Sequence, residues 1–284
     1  DGAFKESAEK YISEMSMNSM GADIADINND SFSEIYVTDM FPEQESRVKT
    51  KTAFENWDKY QSNLSNGYYK QFVRNALQLN NGPSPLSTLW RGVGGEVSPS
   101  PPRGEGRGEG EVSFSEISRY ANVSATDWSW GALITDLDND GYKDIFVANG
   151  IYKDITDQDY IQYTAGAYAD IRQQIINKEK NIITNLIDKI PSHAISNYAF
   201  SNNGDLTFTN KAKEWGLDEP SFSNGSAYGD LDNDGDLDLV VNNVNMPGFV
   251  YRNESVQQHP ENKFLKVTLQ GEGKNTFGIG AKVT

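Results

Sequence analysis

The chain has 284 residues, of which 37% are hydrophobic and 23% are charged, so it holds enough apolar side chain to form a packed core. Its net charge of −16 repels phosphate backbones and anionic lipid heads, so binding to nucleic acid or to acidic membranes is not expected. The absence of cysteine excludes disulfides, thiolate metal sites and a cysteine nucleophile, and every apolar run is too short to span a bilayer.

Three segments of the chain repeat one pattern of residues. An acidic loop begins at Asp26, Asp136 and Asp230, and a short apolar run follows each loop. In every copy a glycine lies five residues before the first Asp and a phenylalanine lies 22 residues before it. This fixed spacing predicts three copies of one structural unit, over about 4–38, 114–148 and 208–242.

Apolar residues recur at helical spacing between the units, which predicts helical insertions over about 45–65 and about 156–190. The second insertion opens with Thr156 and Asp159, a pair that resembles a capping box. Packing of both helical stripes on the chain's own sheets is favoured over binding to a partner. The stripe residues are Phe54, Trp57, Tyr60 and Leu64 in the first insertion, and Tyr168, Ile171, Ile175, Ile182, Leu186 and Ile190 in the second.

Asn-Asn-Gly sequences at 80–82 and 202–204 predict two tight hairpins, because Asn-Gly pairs favour positive φ angles. The first hairpin is about 28 residues longer than the second, through a Pro- and Gly-rich insertion over about 83–112. A binding loop and a disordered insertion both remain open, and the composition favours the disordered one.

The acidic loops carry the predicted chemistry. Side-chain oxygens at loop positions 1, 3, 5 and 9, with the backbone carbonyl of position 7, can surround one hard cation, and so many protein oxygens suit calcium better than magnesium. The predicted ligands are Asp26, Asn28, Asp30, Phe32 and Glu34 in loop 1 (26–34), Asp136, Asp138, Asp140, Tyr142 and Asp144 in loop 2 (136–144), and Asp230, Asp232, Asp234, Asp236 and Asp238 in loop 3 (230–238).

The three loops are not equally suited to a cation. Position 6 requires a positive φ, which Gly141 and Gly235 adopt freely but which strains Ser31. Loop 1 also carries a neutral Asn28 at position 3, so we expect it to bind calcium less well than the other two. Valine at position 12 excludes an EF-hand, and an acidic turn without an ion is the alternative interpretation.

The three units resemble FG-GAP/VCBS repeats, the calcium-loop blades of integrin-α-like β-propellers. Residues 197–241 carry that pattern in full, whereas Ser31 and Glu34 depart from it. The runs at 264–269 and 278–283 resemble the start of an ASPIC/UnbV domain, over 262–284. The pairing of these two elements is similar to the cartilage-acidic-protein-like bacterial family.

The resemblance implies an all-β fold: a partial β-propeller over 1–255 with helical insertions and a truncated C-terminal β-domain. It implies a calcium-dependent adhesion or ligand-binding module, secreted or on the cell surface, with an unknown protein or glycan as partner. No direct membrane insertion is expected. Because the chain opens at Asp1 without a signal region, we expect a piece of a longer protein.

A carbohydrate-active enzyme similar to propeller polysaccharide lyases and a purely structural spacer are the alternatives. No catalytic constellation is recognised, since neither His193 nor His259 lies in a metal-binding array and no Gly-x-Ser-x-Gly elbow occurs. Three carboxylates outside the loops keep the enzyme alternative open: Asp127, Asp154 and Asp157. Trp128 and Trp130 share one face of a predicted strand, where packing against a neighbouring blade is favoured over stacking on a sugar.

Overall fold

The computed structural model describes residues 3–51, 57–82 and 112–281. Nearly all of the predicted Pro- and Gly-rich insertion, and Phe54 of the first helical stripe, lie outside these residues. Strands outweigh helices in the chain, and most of the strands pair in antiparallel sheets. The sheet-rich part of the expected fold is therefore confirmed.

Short strands alternate with helices along the chain. The strands are β1 Met15–Ser16, β2 Gly21–Ala25, β3 Glu34–Thr38, β4 Met40–Phe41, β5 Gln71–Phe72, β6 Ala76–Asn80, β7 Phe114–Glu116, β8 Asp127–Thr135, β9 Asp144–Asn149, β10 Tyr198–Asn202, β11 Phe208–Asn210, β12 Ser223–Gly229, β13 Asp238–Asn243 and β14 Phe249–Tyr251. The helices are α1 Ala8–Tyr11, α2 Glu45–Lys51, α3 Trp57–Ser65, α4 Gln158–Gly166, α5 Tyr168–Ile176, α6 Ile182–Asp188 and α7 Ser255–Gln258.

Three antiparallel sheets contain the three acidic loops. Sheet I has the strand order β2-β3-β6-β7, sheet II the order β4-β8-β9-β10-β11, and sheet III the order β12-β13-β14. In each sheet the acidic loop joins two neighbouring strands: β2 to β3, β8 to β9, and β12 to β13. Two further short strands, β1 and β5, pair in parallel and form a separate two-stranded sheet.

The phenylalanine that opens a repeat unit belongs to the sheet of the unit before it. Phe114 pairs with Asn80 and Phe208 pairs with Asn202, so β7 completes sheet I and β11 completes sheet II. Phe4 opens no strand and is fully exposed. The first repeat unit therefore lacks the opening strand that the other two have, and no strand of the described residues lies beside Phe4 to satisfy its backbone groups.

The apolar core lies in two layers between the sheets. Sheets I and II enclose the first layer, which contains Ile27, Tyr36, Leu77, Ile134, Ile145, Val147 and Phe200. Sheets II and III enclose the second, which contains Leu137, Phe146, Ala148, Ala199, Leu239 and Val241. Sheet II is therefore covered on both faces, which explains the unbroken burial of β9 from Asp144 to Asn149.

The repeated glycine marks a close approach between sheets. A Cβ atom on Gly21 would lie 2.3 Å from the carbonyl oxygen of Trp130, so the backbones of β2 and β8 touch where no side chain fits. β8 also lies beside β12. The strands that precede the three acidic loops, β2, β8 and β12, thus run next to one another, which places the loops at the same end of neighbouring sheets.

Helices form in both predicted insertions, with two corrections. The N-cap of α4 is Asp157, whose Oδ1 accepts the N–H of Tyr160 at 2.8 Å; the expected cap, Thr156, lies one residue too early and bonds to Asp154 instead. No residue of α4, α5 or α6 is buried, and these helices contact one another and α2. The expected packing of this stripe on a sheet is therefore wrong.

The expected C-terminal β-domain is not seen as strands. Residues 259–281 form turns and irregular structure, and the run at 264–269 remains exposed. An extended run becomes a strand only when a neighbouring strand takes up its N–H and C=O groups, and the described residues offer it none.

Candidate metal centres

The three acidic loops share one backbone conformation. Position 4 is a left-handed asparagine in each loop, with φ of 59° at Asn29, 56° at Asn139 and 64° at Asn233. Position 6 is also left-handed in each loop, with φ of 71° at Ser31, 94° at Gly141 and 100° at Gly235. Ser31 thus adopts the conformation that favours glycine. The asparagine at position 4 is a further feature that all three copies share, and its left-handed φ was not among the predictions from the sequence.

Hydrogen bonds within loops 1 and 2 match atom for atom. The position-1 carboxylate accepts the N–H groups of positions 5 and 6, at 3.2 and 2.8 Å in loop 1 and at 3.2 and 3.0 Å in loop 2. The position-5 carboxylate accepts the N–H of position 7, at 2.8 Å from Phe32 and at 2.7 Å from Tyr142. These bonds curl the chain so that the side chains of positions 1, 3 and 5 point into the same space.

The position-9 carboxylates Glu34, Asp144 and Asp238 are buried and tie each loop to its own sheet. One carboxylate oxygen accepts the N–H of loop position 2, at 2.8–2.9 Å. The other accepts the N–H of an asparagine that lies at the end of β6 or β10, or two residues after the end of β14, at 2.8–3.3 Å. These asparagines are Asn80, Asn202 and Asn253. The first two belong to the Asn-Asn-Gly sequences of the predicted hairpins, whereas Asn253 belongs to no predicted motif.

The position-7 aromatic residues have a second role that the sequence did not indicate. The ring of Phe32 lies against Gly82, and the ring of Tyr142 lies against Gly204, at the hairpins of the same sheets. A Cβ atom on Gly82 would approach the Phe32 ring to 2.8 Å. Each hairpin glycine therefore serves both the turn and the close contact with the acidic loop.

Loop 2 brings together the carboxylates of Asp136, Asp138 and Asp144, with one oxygen of each within 4.8 Å of the others. Burial raises the pKa of Asp144 to about 8, and burial with repulsion among the carboxylates raises the pKa of Asp136 and Asp138. The position-9 oxygens already accept backbone N–H groups, yet each retains a second lone pair that can face a cation. The donor set is entirely oxygen, as calcium prefers.

Loop 3 brings together Asp230, Asp232 and Asp234 within the same 4.8 Å limit. The Oδ1 atoms of Asp230 and Asp236 are buried and have no hydrogen-bond partner among the described residues. Buried carboxylate oxygens without a donor are costly, and a divalent cation would satisfy those that face it. This second group of residues therefore also fits a hard cation.

The segment after sheet III crosses loop 3. Gln257 donates to Asp234 Oδ2 at 2.9 Å, the N–H of Val256 donates to Asp236 Oδ2 at 3.2 Å, and Lys266 Nζ lies 3.5 Å from Asp230 Oδ2. Hydrogen bonds from Asp236 and Gln257 lower the pKa of Asp234 to about 2, whereas burial raises that of Asp236 to about 6. Positive and neutral donors thus offset part of the charge of loop 3.

Loop 1 fits a cation less well. Asn28 turns its amide toward Asp30, donating to Oδ2 at 2.9 Å, while its carbonyl oxygen accepts the N–H of Asp30 at 3.2 Å. Burial raises the pKa of Glu34 to about 7. In a calcium loop, the cation interacts with the carboxylate at position 5. In loop 1 the amide of Asn28 donates a hydrogen bond to this carboxylate, so a residue of the loop already fills part of the role of the cation.

The carboxylates of the enzyme alternative lie at the opposite end of sheet II, where β8 begins. Arg47 forms a two-bonded ion pair with Asp127, and Lys51 contacts Asp154 at 2.9 Å and Asp157 at 2.5 Å. Burial alone would raise the pKa of Asp157, but the hydrogen bond and charge of Lys51, together with backbone N–H donors such as that of Tyr160, lower it below its usual value. These ion pairs join α2 and the start of α4 to the sheet.

A cleft of about 360 Å³ opens beside this ion-pair cluster. Trp128 and Tyr60 line it, together with Arg47 and Asp154. The rings of Trp128 and Trp130 lie 6.2 Å apart, and Trp130 Nε1 donates to the carbonyl of Gly150 at 2.6 Å. Trp130 is thus held by the sheet itself, whereas Trp128 faces the cleft.

No protein-family model matches this sequence, and no curated protein matches it. Within residues 3–51, 57–82 and 112–281, none of the helices has the length and hydropathy of a membrane span. The arguments about function therefore rest on the loops, the sheets and the cleft themselves.

Proposed function

We propose that the chain is a calcium-binding repeat module, part of a β-propeller of the FG-GAP/VCBS type, that acts outside the cell in adhesion or ligand binding. The observation that carries the proposal is the conformational identity of three acidic loops at equivalent places in three sheets. Unrelated acidic surface turns would not share left-handed residues at positions 4 and 6 and a buried carboxylate at position 9.

Two cations would be held by the carboxylates of loops 2 and 3. Asp136, Asp138 and Asp144 would ligate one, and Asp230, Asp232 and Asp234 the other. Bound calcium would cancel the repulsion among the carboxylates of each group, which is stronger in the half-buried loop 2 than in the more solvent-screened loop 3. Its role is therefore to stabilise the loop end of the sheets, with no chemical step assigned to it.

The stacking of sheets I, II and III supports a propeller. Strands β2, β8 and β12 run side by side, and apolar layers fill the two spaces between neighbouring sheets, as between the blades of a propeller. Loops at one end of such an array and helical insertions near the other leave two distinct surfaces for a protein or glycan partner.

Thermal unfolding with and without a chelator tests the calcium proposal. A site that binds only the folded protein adds about 2.7 kcal/mol at a hundredfold excess of free calcium over Kd, so the melting midpoint should rise with calcium. Magnesium and sodium chloride at matched ionic strength control for charge screening. An Asp188→Asn variant, which alters an exposed carboxylate on α6, should keep the full response, and an unchanged midpoint in the parent chain would refute the proposal.

A carbohydrate-active function is the second candidate, favoured by the cleft beside Trp128 and Tyr60. An aromatic wall next to paired charges is suited to the ring and hydroxyl groups of a sugar. Binding on a glycan array, followed by a search for product from any bound glycan, separates an enzyme from a binding module. A chain that binds calcium and no glycan would instead favour a protein ligand or a structural spacer.

A further inference from the structure

We propose that the candidate sites in loops 2 and 3 bind calcium with positive cooperativity, through a chain of hydrogen bonds that runs from one loop to the next. The inference rests on the proposed function and adds to it the regulation of the same two sites. It assigns a role to residues that are not themselves predicted ligands.

The hydrogen-bond chain begins at the position-9 carboxylate of loop 3. Asp238 Oδ1 accepts the backbone N–H of Asn253 at 2.8 Å. The side-chain amide of Asn253 donates to the carbonyl of Leu137 at 2.6 Å, and Ser255 Oγ donates to the same carbonyl at 2.9 Å. Leu137 is position 2 of loop 2. The segment that holds a carboxylate of loop 3 therefore also holds the backbone of loop 2.

The chain continues within loop 2. The backbone N–H of Leu137 donates to Asp144 Oδ2 at 2.8 Å, and Asp144 is one of the three convergent carboxylates of this loop. The side chain of Leu137 is buried in the apolar layer between sheets II and III. In such a packed layer Leu137 cannot shift without disturbing its neighbours, so it connects the two loops rigidly.

The same arrangement recurs between loops 2 and 1. Asp144 Oδ1 accepts the backbone N–H of Asn202 at 3.0 Å, and the side-chain amide of Asn202 donates to the carbonyl of Ile27 at 2.8 Å. The N–H of Ile27 then donates to Glu34 Oε2 at 2.9 Å. Because two junctions carry the same bonds between equivalent residues, the chain of bonds is a property of the repeat unit.

An ion in one loop would act on the next loop through this order. A loaded loop 3 holds Asp238, and Asn253 then holds Leu137 in the place from which its N–H orients Asp144. Loop 2 therefore loses less conformational freedom when it binds the second ion. By linkage, an ion in loop 2 favours binding in loop 3 by the same factor.

The sign of the coupling separates this mechanism from the effect of charge. Two bound cations repel each other through space, which gives negative cooperativity that weakens as salt screens the charges. The hydrogen-bond chain acts in the opposite direction, and its bonds at Leu137 are buried. Positive cooperativity that persists at high salt is therefore the expected signature.

Calorimetric titration of the chelator-treated 284-residue chain with calcium chloride measures two binding constants. The Asp136→Ala and Asp230→Ala variants each keep one candidate site, and they give the constants of the isolated sites. We define the coupling factor as the product of the two constants of the parent divided by the product of the two isolated constants. We expect a coupling factor of about five or more.

Asn253→Ala combined with Ser255→Ala removes both side-chain donors to Leu137 and keeps the backbone N–H that bonds Asp238. Measured against its own single-site forms, this double variant should have a coupling factor of about one. Asn253→Ala alone leaves Ser255 as a donor and should give an intermediate value. The matched control is Asn80→Ala. Asn80 is the equivalent asparagine of sheet I, its amide donates to Ser33 of its own loop at 3.2 Å, and its loss should leave the coupling unchanged.

The outcomes separate this inference from the proposed function. Circular dichroism confirms that each variant is folded. Two occupied sites with a coupling factor of one or less in the parent would overturn the inference while the calcium proposal stands. Coupling that survives the loss of both donors would show that these hydrogen bonds do not carry it. A parent chain that binds no calcium would refute the proposed function, and this inference with it.

Discussion

The buried carboxylate of Asp144 accepts the backbone N–H of Asn202 at 3.0 Å, which joins position 9 of loop 2 to β10 of sheet II. Its second oxygen accepts the N–H of Leu137 at 2.8 Å, at the start of the same loop. One side chain thus connects the candidate metal centre to the hydrogen bonding of the sheet. Stability, pH and cation binding should therefore be linked through this residue.

Without calcium, the stability of the protein should fall as the pH rises from about 4 to about 8. Asp144 and Glu34 have pKa values raised from 3.8 and 4.5 to about 8 and about 7, so the folded state binds more protons than the unfolded state in this window. As the pH rises through the pKa values of the folded state, the folded protein loses these extra protons. The free energy of unfolding falls as a result. Chemical denaturation at several pH values in chelator measures this slope.

Saturating calcium should remove most of this fall, because a cation stabilises the charged carboxylates, and its binding should release protons in an unbuffered titration. Asp144→Asn should flatten the slope of the metal-free protein while losing one of the two backbone hydrogen bonds. Metal-free stability that rises between about pH 4 and about pH 8 would contradict the assignment of these raised pKa values.

Asn202→Ala should destabilise the protein by about 1–3 kcal/mol for each carbonyl left without a donor. The side-chain amide of Asn202 donates to the carbonyl of Lys143 at 2.9 Å, beside sheet II, and to the carbonyl of Ile27 at 2.8 Å, in loop 1 of sheet I. Asn203→Ala is the matched control, since Asn203 is exposed and its side chain bonds within the hairpin. Urea unfolding of both variants measures the difference, and equal midpoints would show that the bond between the sheets adds nothing.

Asp136→Ala and Asp230→Ala should destabilise the calcium-loaded protein more than Asp26→Ala, by about a few kcal/mol if an ion is lost. Asp136 and Asp230 belong to groups of three convergent carboxylates, whereas loop 1 uses the amide of Asn28 as a donor. The same variants in chelator measure the effect of each substitution without the ion, which for Asp136→Ala and Asp26→Ala includes the loss of two backbone hydrogen bonds. Calorimetric titration decides the ranking, which is wrong if Asp26→Ala removes the tightest binding step.

Replacing residues 83–112 with two turn residues should leave stability nearly unchanged. The shortened connection would hold five residues between Asn80 and Phe114, the same number that joins the paired residues Asn202 and Phe208 in sheet II. Each doubling of loop length costs only about 0.6 kcal/mol, so shortening the loop should raise the free energy of unfolding slightly. A large loss of cooperativity in thermal unfolding would instead show that the segment packs against the fold.

The local structure of the repeats follows from residues that are close together in the chain. The acidic spacing, the turn glycines and the Asn-Asn-Gly pairs dictate backbone angles within a few residues, so the loops, the strands beside them and the hairpins were predicted at the right places. Ser31 illustrates the strength of this pattern, because it adopts a positive φ that its own side chain disfavours. Helix formation in the two insertions followed in the same way from apolar spacing.

Contacts between groups that are far apart in the chain could not be predicted from these local patterns. Phe114 completes the sheet of the preceding unit while Phe4 pairs with nothing described, because a strand depends on a neighbouring backbone and not on its own residues. The burial of Ile27 and the exposure of Leu231, at the same position of the same motif, differ because a further sheet covers one and not the other. Packing between distant segments, which no local pattern encodes, sets these differences.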